Sequence, residues 1–152
     1  MEKLTLSEAV ERLNKATLEG AQRQVAEIVK RDPSLVWAKQ DELERGQRPD
    51  GQKIGFYRDE DYALFKNQIN PLPGLGNVDL ILTGSTRDQL YVESLGGGAF
   101  RLRSRDPKWS GLMAKYAIDG DLMEISGKRW QELQKNEYAP KLVEYVKKIT
   151  RL

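Results

Sequence analysis

The chain has 152 residues, of which 32% are charged and 39% belong to the hydrophobic set, proportions typical of a folded domain with a charged surface rather than of a disordered chain. It contains no cysteine and no histidine, which excludes disulfides, thiolate zinc sites and every Ser-His or Cys-His relay. The 25 basic and 23 acidic residues give a net charge of +2, a smaller excess than a general nucleic-acid binder usually carries.

The absence of cysteine and histidine favours a protein that binds a partner or assembles over an enzyme. We predict no catalytic residues, no cofactor and no metal site. No apolar stretch approaches the roughly 20 residues that span a bilayer, and the first residues have no apolar signal core. We therefore expect no membrane partner, and we expect the chain to stay in the reducing compartment where it is made.

The first part of the chain predicts helices. Thr5 and Glu8 have the spacing of a capping box, and apolar residues at steps of three and four continue from Leu6 to Ile28 as one amphipathic stripe. Asp32-Pro33 is a helix-start signal, and the helical run after it ends at Gly46, a predicted C-terminal cap. The pattern does not distinguish two helices from one long helix that is kinked at Asp32-Pro33.

The middle of the chain predicts turns and one short helix. Pro49-Asp50-Gly51 predicts a tight turn, and a helix is predicted over residues 60–67. The contact residues predicted for that helix are Tyr62, Leu64 and Phe65. The segment 70–77, NPLPGLGN, predicts an ordered crossing loop, because its prolines and glycines oppose both helix and strand.

The β structure is predicted in the next part of the chain. Residues 78–83 are β-prone, and two alternating runs, 89–95 and 99–104, flank the triple glycine 96–98. This arrangement predicts a β-hairpin. The predicted buried face consists of Leu90, Val92, Phe100 and Leu102, and the opposite face of Tyr91, Glu93, Arg101 and Arg103.

The last part of the chain predicts helices again. Asp106-Pro107 marks a helix start, residues 118–121 a turn, Ser126 a helix cap and Pro140 the start of a terminal amphipathic helix. Helices and strands that do not alternate along the chain predict an α+β fold. We expect N-terminal helices, a small antiparallel sheet with a β-hairpin, and C-terminal helices.

We predict one domain over residues 1–152. It divides into a helical part (1–48), a loop and β-hairpin part (49–105) and a second helical part (106–152).

Two features suggest metal or phosphate chemistry and are better explained without it. Asp119, Asp121 and Glu124 lie close together like a calcium loop, but Met123 stands where an EF-hand needs an oxygen ligand, so we interpret them as a solvated turn. The glycine-rich stretches LPGLG and LGGG do not lie between a strand and a helix in the way that a phosphate loop does.

The hairpin carries two further candidate sites. Arg101, Arg103 and Arg105 form a basic stripe, which is either a solvated face that Glu93 partly neutralises or a surface for an anion or a partner. A carboxylate pair is a third-ranked possibility, with a hydrolase or nuclease as its functional class. Its candidate residues are Asp79, Asp88 and Glu93.

Three stretches within residues 42–135 resemble the sequences of one known group of proteins. The stretches that carry the resemblance are ERGQRPDGQKIGFY, VDLILTGSTRDQLYVES and FRLRSRDPKWSGLMAKYAIDGDLMEIS. They are similar to those of the tail-completion and head–tail connector proteins, short α+β subunits that join as rings at the phage neck. By position, Gly51 is the turn before Tyr57, and Thr83-Gly84 is the junction that enters the hairpin. Ala117, which follows Lys115-Tyr116, stands where that pattern has glycine, which leaves the subgroup open.

The resemblance implies a virion structural protein that is present in the host cytoplasm before assembly and has no catalytic residues. Its implied partners are identical subunits in a ring, neighbouring portal, connector or tail proteins, and DNA in a channel. The candidate interface residues are Pro71, Leu72, Pro73, Gly74, Gly96, Gly97, Gly98, Arg101, Arg103 and Arg105. The alternative hypothesis is an intracellular domain that binds a protein or nucleic acid through the hairpin.

Overall fold

The computed structural model describes residues 5, 7, 8, 11, 17–80, 85–116 and 122–150. The elements are, in order, α1 (Leu18–Arg31), α2 (Ser34–Glu44), α3 (Glu60–Ile69), α4 (Ser85–Asp88), β1 (Leu90–Gly96), β2 (Ala99–Ser104), α5 (Trp109–Tyr116), α6 (Gly127–Leu133), a π-helix (Gln134–Tyr138) and α7 (Ala139–Thr150). This is the predicted α+β architecture, with helices on both sides of a two-stranded antiparallel hairpin. The Thr83-Gly84 junction and the turn at 118–121 lie outside the described residues.

Thr17 is the N-cap of α1, and it interrupts the long helix that the sequence predicts. Its backbone is extended, with φ −66° and ψ 159°, and its hydroxyl accepts a hydrogen bond from the Gly20 N–H at 3.2 Å. The prediction of one helix from Leu6 to Ile28 is therefore wrong, because Thr17 serves as an N-cap and a cap lies outside the helix it begins. The predicted capping box is confirmed, since Thr5 N–H donates to the Glu8 carboxylate at 2.7 Å and Glu8 N–H donates to the Thr5 hydroxyl at 3.3 Å.

Asp32 separates α1 from α2, so the chain forms two helices here rather than one kinked helix. Its backbone is extended, with φ −80° and ψ 124°, and its carboxylate accepts a hydrogen bond from the Ser34 N–H at 2.8 Å. The same carboxylate forms an ion pair with Lys141 of α7. The break between the helices is thereby tied to the C-terminal part of the fold.

Gly46 ends α2 in a Schellman motif. The Gly46 N–H donates to the Leu43 carbonyl at 3.0 Å, and the Gln47 N–H donates to the Glu42 carbonyl at 2.8 Å. Gly46 has φ +63°, and a Cβ atom there would collide with the Val78 carbonyl oxygen. Both the backbone angle and the lack of space require glycine, and the predicted cap is confirmed.

The turn after α2 is also the one that the sequence predicts. The Gly51 N–H donates to the Arg48 carbonyl at 2.9 Å across Pro49 and Asp50, and Gly51 has φ +83°. Gln47 and Lys53 then form an antiparallel bridge. The chain therefore reverses direction before it reaches Tyr57 and α3.

The β-hairpin has the predicted strands and faces. Val92 pairs with Leu102, and Tyr91 pairs with Arg103, so that apolar and charged side chains lie on opposite faces. The residues of the inner face are Leu90, Val92, Phe100 and Leu102, all buried or packed against the core. Strand β1 contacts α1 and α2, which fixes the hairpin against the N-terminal helices.

Residues 78–80 are not a strand, although the sequence is β-prone there. The Val78 N–H donates to the Gly55 carbonyl at 2.9 Å, and the Asp79 side chain is buried in a polar network. Leu80 has φ +55°, which is left-handed and ends any extended run. The strand prediction is wrong for these residues, and 81–83 lie outside the described part of the chain.

Ser126 is the predicted cap of α6, whereas α5 begins at Trp109, shortly after the predicted start at Asp106-Pro107. The Asp106 carboxylate accepts a hydrogen bond from the Lys108 N–H at 2.9 Å before α5, and the Ser126 hydroxyl accepts one from the Arg129 N–H at 3.3 Å in α6. Helices α6 and α7 are joined directly by the π-helix, so Pro140 lies at the second position of α7 and not after a loop. A wider turn accommodates a proline that has no N–H to donate.

The hydrophobic core draws residues from all three parts of the chain. Its buried members are Val29, Leu35, Leu43, Ile54, Val78, Leu90, Val92, Leu102, Leu122, Met123 and Tyr138. Helices α1 and α2 and the inner face of the hairpin thus share one cluster with residues of the C-terminal part. Among the described residues, no helix combines the length and the apolar character that crossing a membrane requires.

Candidate docking surface

Helix α3 is a short helix with strong end signals. Asp59 is its N-cap and accepts a hydrogen bond from the Tyr62 N–H at 2.7 Å. Glu60 and Asp61 place negative charge in the first turn, where the helix dipole favours it. The helix ends at Asn70, whose N–H donates to the Lys66 carbonyl at 2.9 Å.

The apolar side chains of α3 point away from the core. Tyr62, Phe65 and Ile69 recur at steps of three and four and share one face of the helix, and Phe65 is 50% exposed. The rings of Tyr62 and Phe65 lie 6.2 Å apart, and Tyr57 packs edge-on against Tyr62 at 5.0 Å. Of the predicted contact residues, Tyr62 packs against Tyr57, whereas Leu64 and Phe65 are about half exposed because Ala63 and Lys66 occupy the inner face.

Lys66 is held inside by a buried ion pair. It is 3% exposed, and its Nζ lies 2.7 Å from Oδ1 of Asp79, which is 1% exposed. The Tyr57 hydroxyl donates to the same oxygen at 3.2 Å, and the Asn70 amide donates to the other carboxylate oxygen at 3.0 Å. Two buried charges are tolerated here because they pair with each other and because the Asp79 carboxylate accepts two further hydrogen bonds.

The network around Asp79 fixes α3 to the rest of the protein. Asn70 also donates to the Glu44 carbonyl at 2.8 Å, which ties the end of α3 to the end of α2. Burial and the Asp79 carboxylate raise the pKa of Tyr57, so its hydroxyl stays protonated and remains a donor. The helix is therefore held by polar contacts on its inner side while its aromatic side remains in solvent.

The loop after α3 is held by its own hydrogen bonds. The Gly74 N–H donates to the Pro71 carbonyl at 3.0 Å, and the Tyr57 N–H donates to the Gly76 carbonyl at 2.8 Å. Lys53 Nζ donates to the Pro73 carbonyl at 2.8 Å, and the Asn77 side chain donates to the same oxygen at 2.9 Å. This confirms the ordered loop that the prolines and glycines predict.

The loop that follows α3 also exposes apolar side chains. Of the four candidate interface residues in it, Pro71, Leu72 and Gly74 are exposed, whereas Pro73 is buried. Leu75, which the sequence did not single out, is 59% exposed. We call the exposed side chains of Tyr62, Phe65, Ile69, Leu72 and Leu75 the apolar ridge.

The charged face of the hairpin has two of its three arginines paired with a carboxylate. Arg101 Nε lies 2.5 Å from the Glu93 carboxylate, and Arg103 contacts the same oxygen at 3.5 Å. The hydrogen bond from Arg101 and the charges of both arginines hold the pKa of Glu93 below its ordinary value. Arg105 lies over the Tyr91 ring at 4.8 Å. The predicted neutralisation by Glu93 is confirmed for Arg101 and Arg103.

The three glycines of the hairpin tip differ in their surroundings. A Cβ atom at Gly96 or Gly97 would meet nothing within 4 Å, so these two positions face open space. A Cβ atom at Gly98 would lie 3.1 Å from the Cβ of Gln22, so the tip approaches α1 closely there. Only part of the predicted tip surface is therefore free for a partner.

A second buried ion pair was not predicted from the sequence. Lys39 and Glu42 are three residues apart in α2 and lie 3.1 Å from each other. Lys39 also donates to the Glu124 carbonyl at 2.8 Å, and Glu42 accepts from the Ser126 N–H at 3.2 Å. The pair anchors the start of α6 to α2 and gives Glu124 a structural contact.

The three candidate carboxylates have different surroundings. Asp79 is buried against Lys66, Glu93 binds two arginines and Asp88 is exposed. In the described part of the chain, no group of three or more Asp or Glu side chains could hold a metal ion. The most distinctive surface is the apolar ridge, which combines exposure with a polar anchor beneath it.

Three comparisons with known proteins found no similar protein. No protein-family model matches the sequence, and no curated protein or solved structure matches it either. A function has therefore to be argued from the geometry of the chain and from the resemblance in residues 42–135.

Proposed function

We propose that this chain is a virion structural protein of a tailed phage, a ring-forming subunit at the head–tail junction. The observation that carries the proposal is the apolar ridge. Its side chains are exposed in the isolated chain, yet the helix and loop that present them are held by a buried ion pair and by several hydrogen bonds. Exposed apolar side chains on a fixed support are typical of a surface that a partner covers.

The support beneath the ridge favours binding by a preformed surface. A partner that docks on fixed side chains orders few of them on binding, so less conformational entropy is lost. A subunit that joins identical neighbours needs such a surface and needs no catalytic group. The resemblance of residues 42–135 to tail-completion and connector proteins supports the same assembly role.

The hairpin arginines give weaker support for contact with DNA. Arg101 and Arg103 share the Glu93 carboxylate, so part of their charge is already compensated. The proposal therefore rests on the ridge, and DNA in a channel remains a secondary partner.

The test is incorporation of ridge variants into phage particles. Phe65→Lys places a charge in the middle of the ridge without touching the core, and we expect it to reduce incorporation into purified particles by at least about tenfold, because a buried unpaired charge at an interface costs several kcal/mol. The measurement is quantitative mass spectrometry of particles from a host that supplies the variant in place of the native chain.

The matched control is Trp37→Lys. Trp37 is 62% exposed, also lies on a helix and is outside the ridge. We expect this variant to enter particles at the native level. Equal incorporation of Phe65→Lys and the native chain would contradict the assignment of the ridge as the assembly surface.

A further inference from the structure

We propose that the apolar ridge binds helix α7 of a second copy of this chain, with the two helices antiparallel. The inference rests on the proposed function, because a ring of identical subunits needs two different surfaces of one chain that fit each other. One surface is the ridge together with the acidic first turn of α3. The other is the outer face of α7.

The α3 surface combines a negative charge and an aromatic ring at a fixed spacing. Asp61 and Phe65 are four residues apart, so they lie on the same side of the helix about 6 Å from each other along its axis. Asp59, Glu60 and Asp61 are all exposed. Within the described part of the chain, Glu60 and Asp61 form no ion pair, so their charge is available to a partner.

The α7 surface has the complementary pair at the same spacing. Val143 is 52% exposed, and Lys147 follows it by four residues on the same side of the helix. The inner face of α7 consists of Leu142, Tyr145 and Ile149, which are partly buried. No described residue forms an ion pair with Lys147 or with the neighbouring Lys148.

The order of the two pairs selects the antiparallel arrangement. Along α3 the charge precedes the apolar residue, and along α7 the apolar residue precedes the charge. Only antiparallel helices place Phe65 against Val143 and Asp61 against Lys147 at the same time. This arrangement also opposes the two helix dipoles, and it keeps acids at a helix start and lysines at a helix end, where each is favourable.

The hairpin is another basic surface among the described residues, and it fits the ridge less well. Its arginines Arg101 and Arg103 are already bound to Glu93, and Leu95 is its one strongly exposed apolar side chain among the described residues. Helix α7 offers both an exposed apolar side chain and lysines without an intramolecular partner. The geometry therefore favours α7 as the surface that the ridge binds.

Disulfide trapping tests this contact directly, since the chain has no cysteine of its own. One preparation carries Phe65→Cys and a second carries Val143→Cys. They are mixed at about 1 mM, a concentration at which a contact with a Kd of ~100 µM is well populated, and then oxidised. We expect about tenfold more mixed dimer than from the control pair Phe65→Cys and Trp37→Cys, because a disulfide needs Cβ atoms about 4 Å apart.

Charge reversal tests the predicted orientation in the same assay. Adding Asp61→Lys to the Phe65→Cys chain should reduce trapping by about 3- to 10-fold, the effect expected of turning a partly exposed ion pair into a repulsion. Adding Lys147→Asp to the Val143→Cys chain at the same time should restore the yield of mixed dimer, because the two charges are again opposite. Circular dichroism and unfolding curves of each variant check that the exposed substitutions leave the fold intact.

Two results would overturn the inference. One is a yield from Phe65→Cys and Val143→Cys no higher than from the control pair, and the other is a charge reversal that the second reversal does not rescue. Either result leaves the particle experiment unaffected, because the ridge could then bind a different neck protein. Trapping between copies combined with absence from particles would instead refute the neck function and retain the contact.

Discussion

At the scale of single residues, Lys66 explains why the ridge faces solvent. Sequence patterns assign lysine to the surface and apolar residues to the core, and on α3 this assignment is reversed. The inner position goes to Lys66 because Asp79, 13 residues later in the sequence, lies beneath the helix with a buried carboxylate. An ion pair between residues that a loop separates produces no periodic pattern of apolar residues. The sequence therefore did not predict the pair Lys66–Asp79.

The first prediction concerns this ion pair. Lys66→Met removes one partner and leaves the buried Asp79 carboxylate without its cation, so we expect the free energy of unfolding to fall by about 3 kcal/mol or more. Urea unfolding at pH 7 measures the loss. Hydrogen exchange of the α3 amides should rise in the same variant, because the anchor of the helix is weakened.

The double variant Lys66→Met/Asp79→Asn is the control. It removes both charges and keeps one of the two side-chain oxygens as an acceptor for Tyr57 or Asn70, so it should be more stable than Lys66→Met alone by about 1–2 kcal/mol. A double variant that is no more stable than Lys66→Met would show that the ion pair is not what holds α3.

At the scale of elements, the sequence predicted where most helices, turns and strands begin or end. It missed the helix break at Thr17 and wrongly predicted β structure at 78–80. The hairpin and its two faces follow from alternation around three glycines, and Gly46, Gly51 and Ser126 are local signals that require only a few neighbouring residues. The Asp59 cap and the register shift between Ser94 and Gly96 were not predicted. The break at Thr17 was missed because threonine also fits a helical stripe. The loss of the strand at 78–80 depends on the buried contacts of Asp79, which only the tertiary structure supplies.

The contact between α2 and α6 gives a prediction of pH dependence. Burial raises the pKa of Asp41, but hydrogen bonds from Arg45 and Arg129 and the charges of these two residues outweigh burial and hold that pKa below its ordinary value. A carboxyl whose pKa is lowered by folding adds stability above the pKa of the unfolded chain. That stability disappears as pH falls through the lower pKa of the folded chain.

We therefore expect Asp41→Asn to cost about 0.5–1 kcal/mol at pH 7, a modest value because the pair is partly exposed. The difference between variant and native chain should persist down to about pH 5 and begin to shrink below about pH 4, where the carboxyl of the unfolded chain becomes protonated while that of the folded chain stays ionised to lower pH. Thermal unfolding at pH 7, 5 and 3 measures it. A difference that is the same at all three values would contradict the electrostatic origin of the α2–α6 contact.

At the scale of the whole molecule, the interface residues that the sequence suggested remain predictions, and the structure shows only which of them are exposed. Pro71, Leu72 and Gly74 lie on an exposed loop, but the larger part of the apolar ridge belongs to α3, whose aromatic residues were not among the predicted interface residues. The outward direction of Tyr62 and Phe65 follows from the contacts of Lys66 and not from their own side chains. The phage assignment remains a prediction that these contacts support.

The most direct measurement of the central claim is the ratio of this chain to the portal subunit in virus particles purified from the source system, by quantitative mass spectrometry. A ring subunit at the neck should occur at a fixed ratio that does not change with further purification or with a salt wash, because a closed ring is held by many identical contacts. Absence of the chain from intact particles, or a ratio that falls with each purification step, would contradict the proposed function.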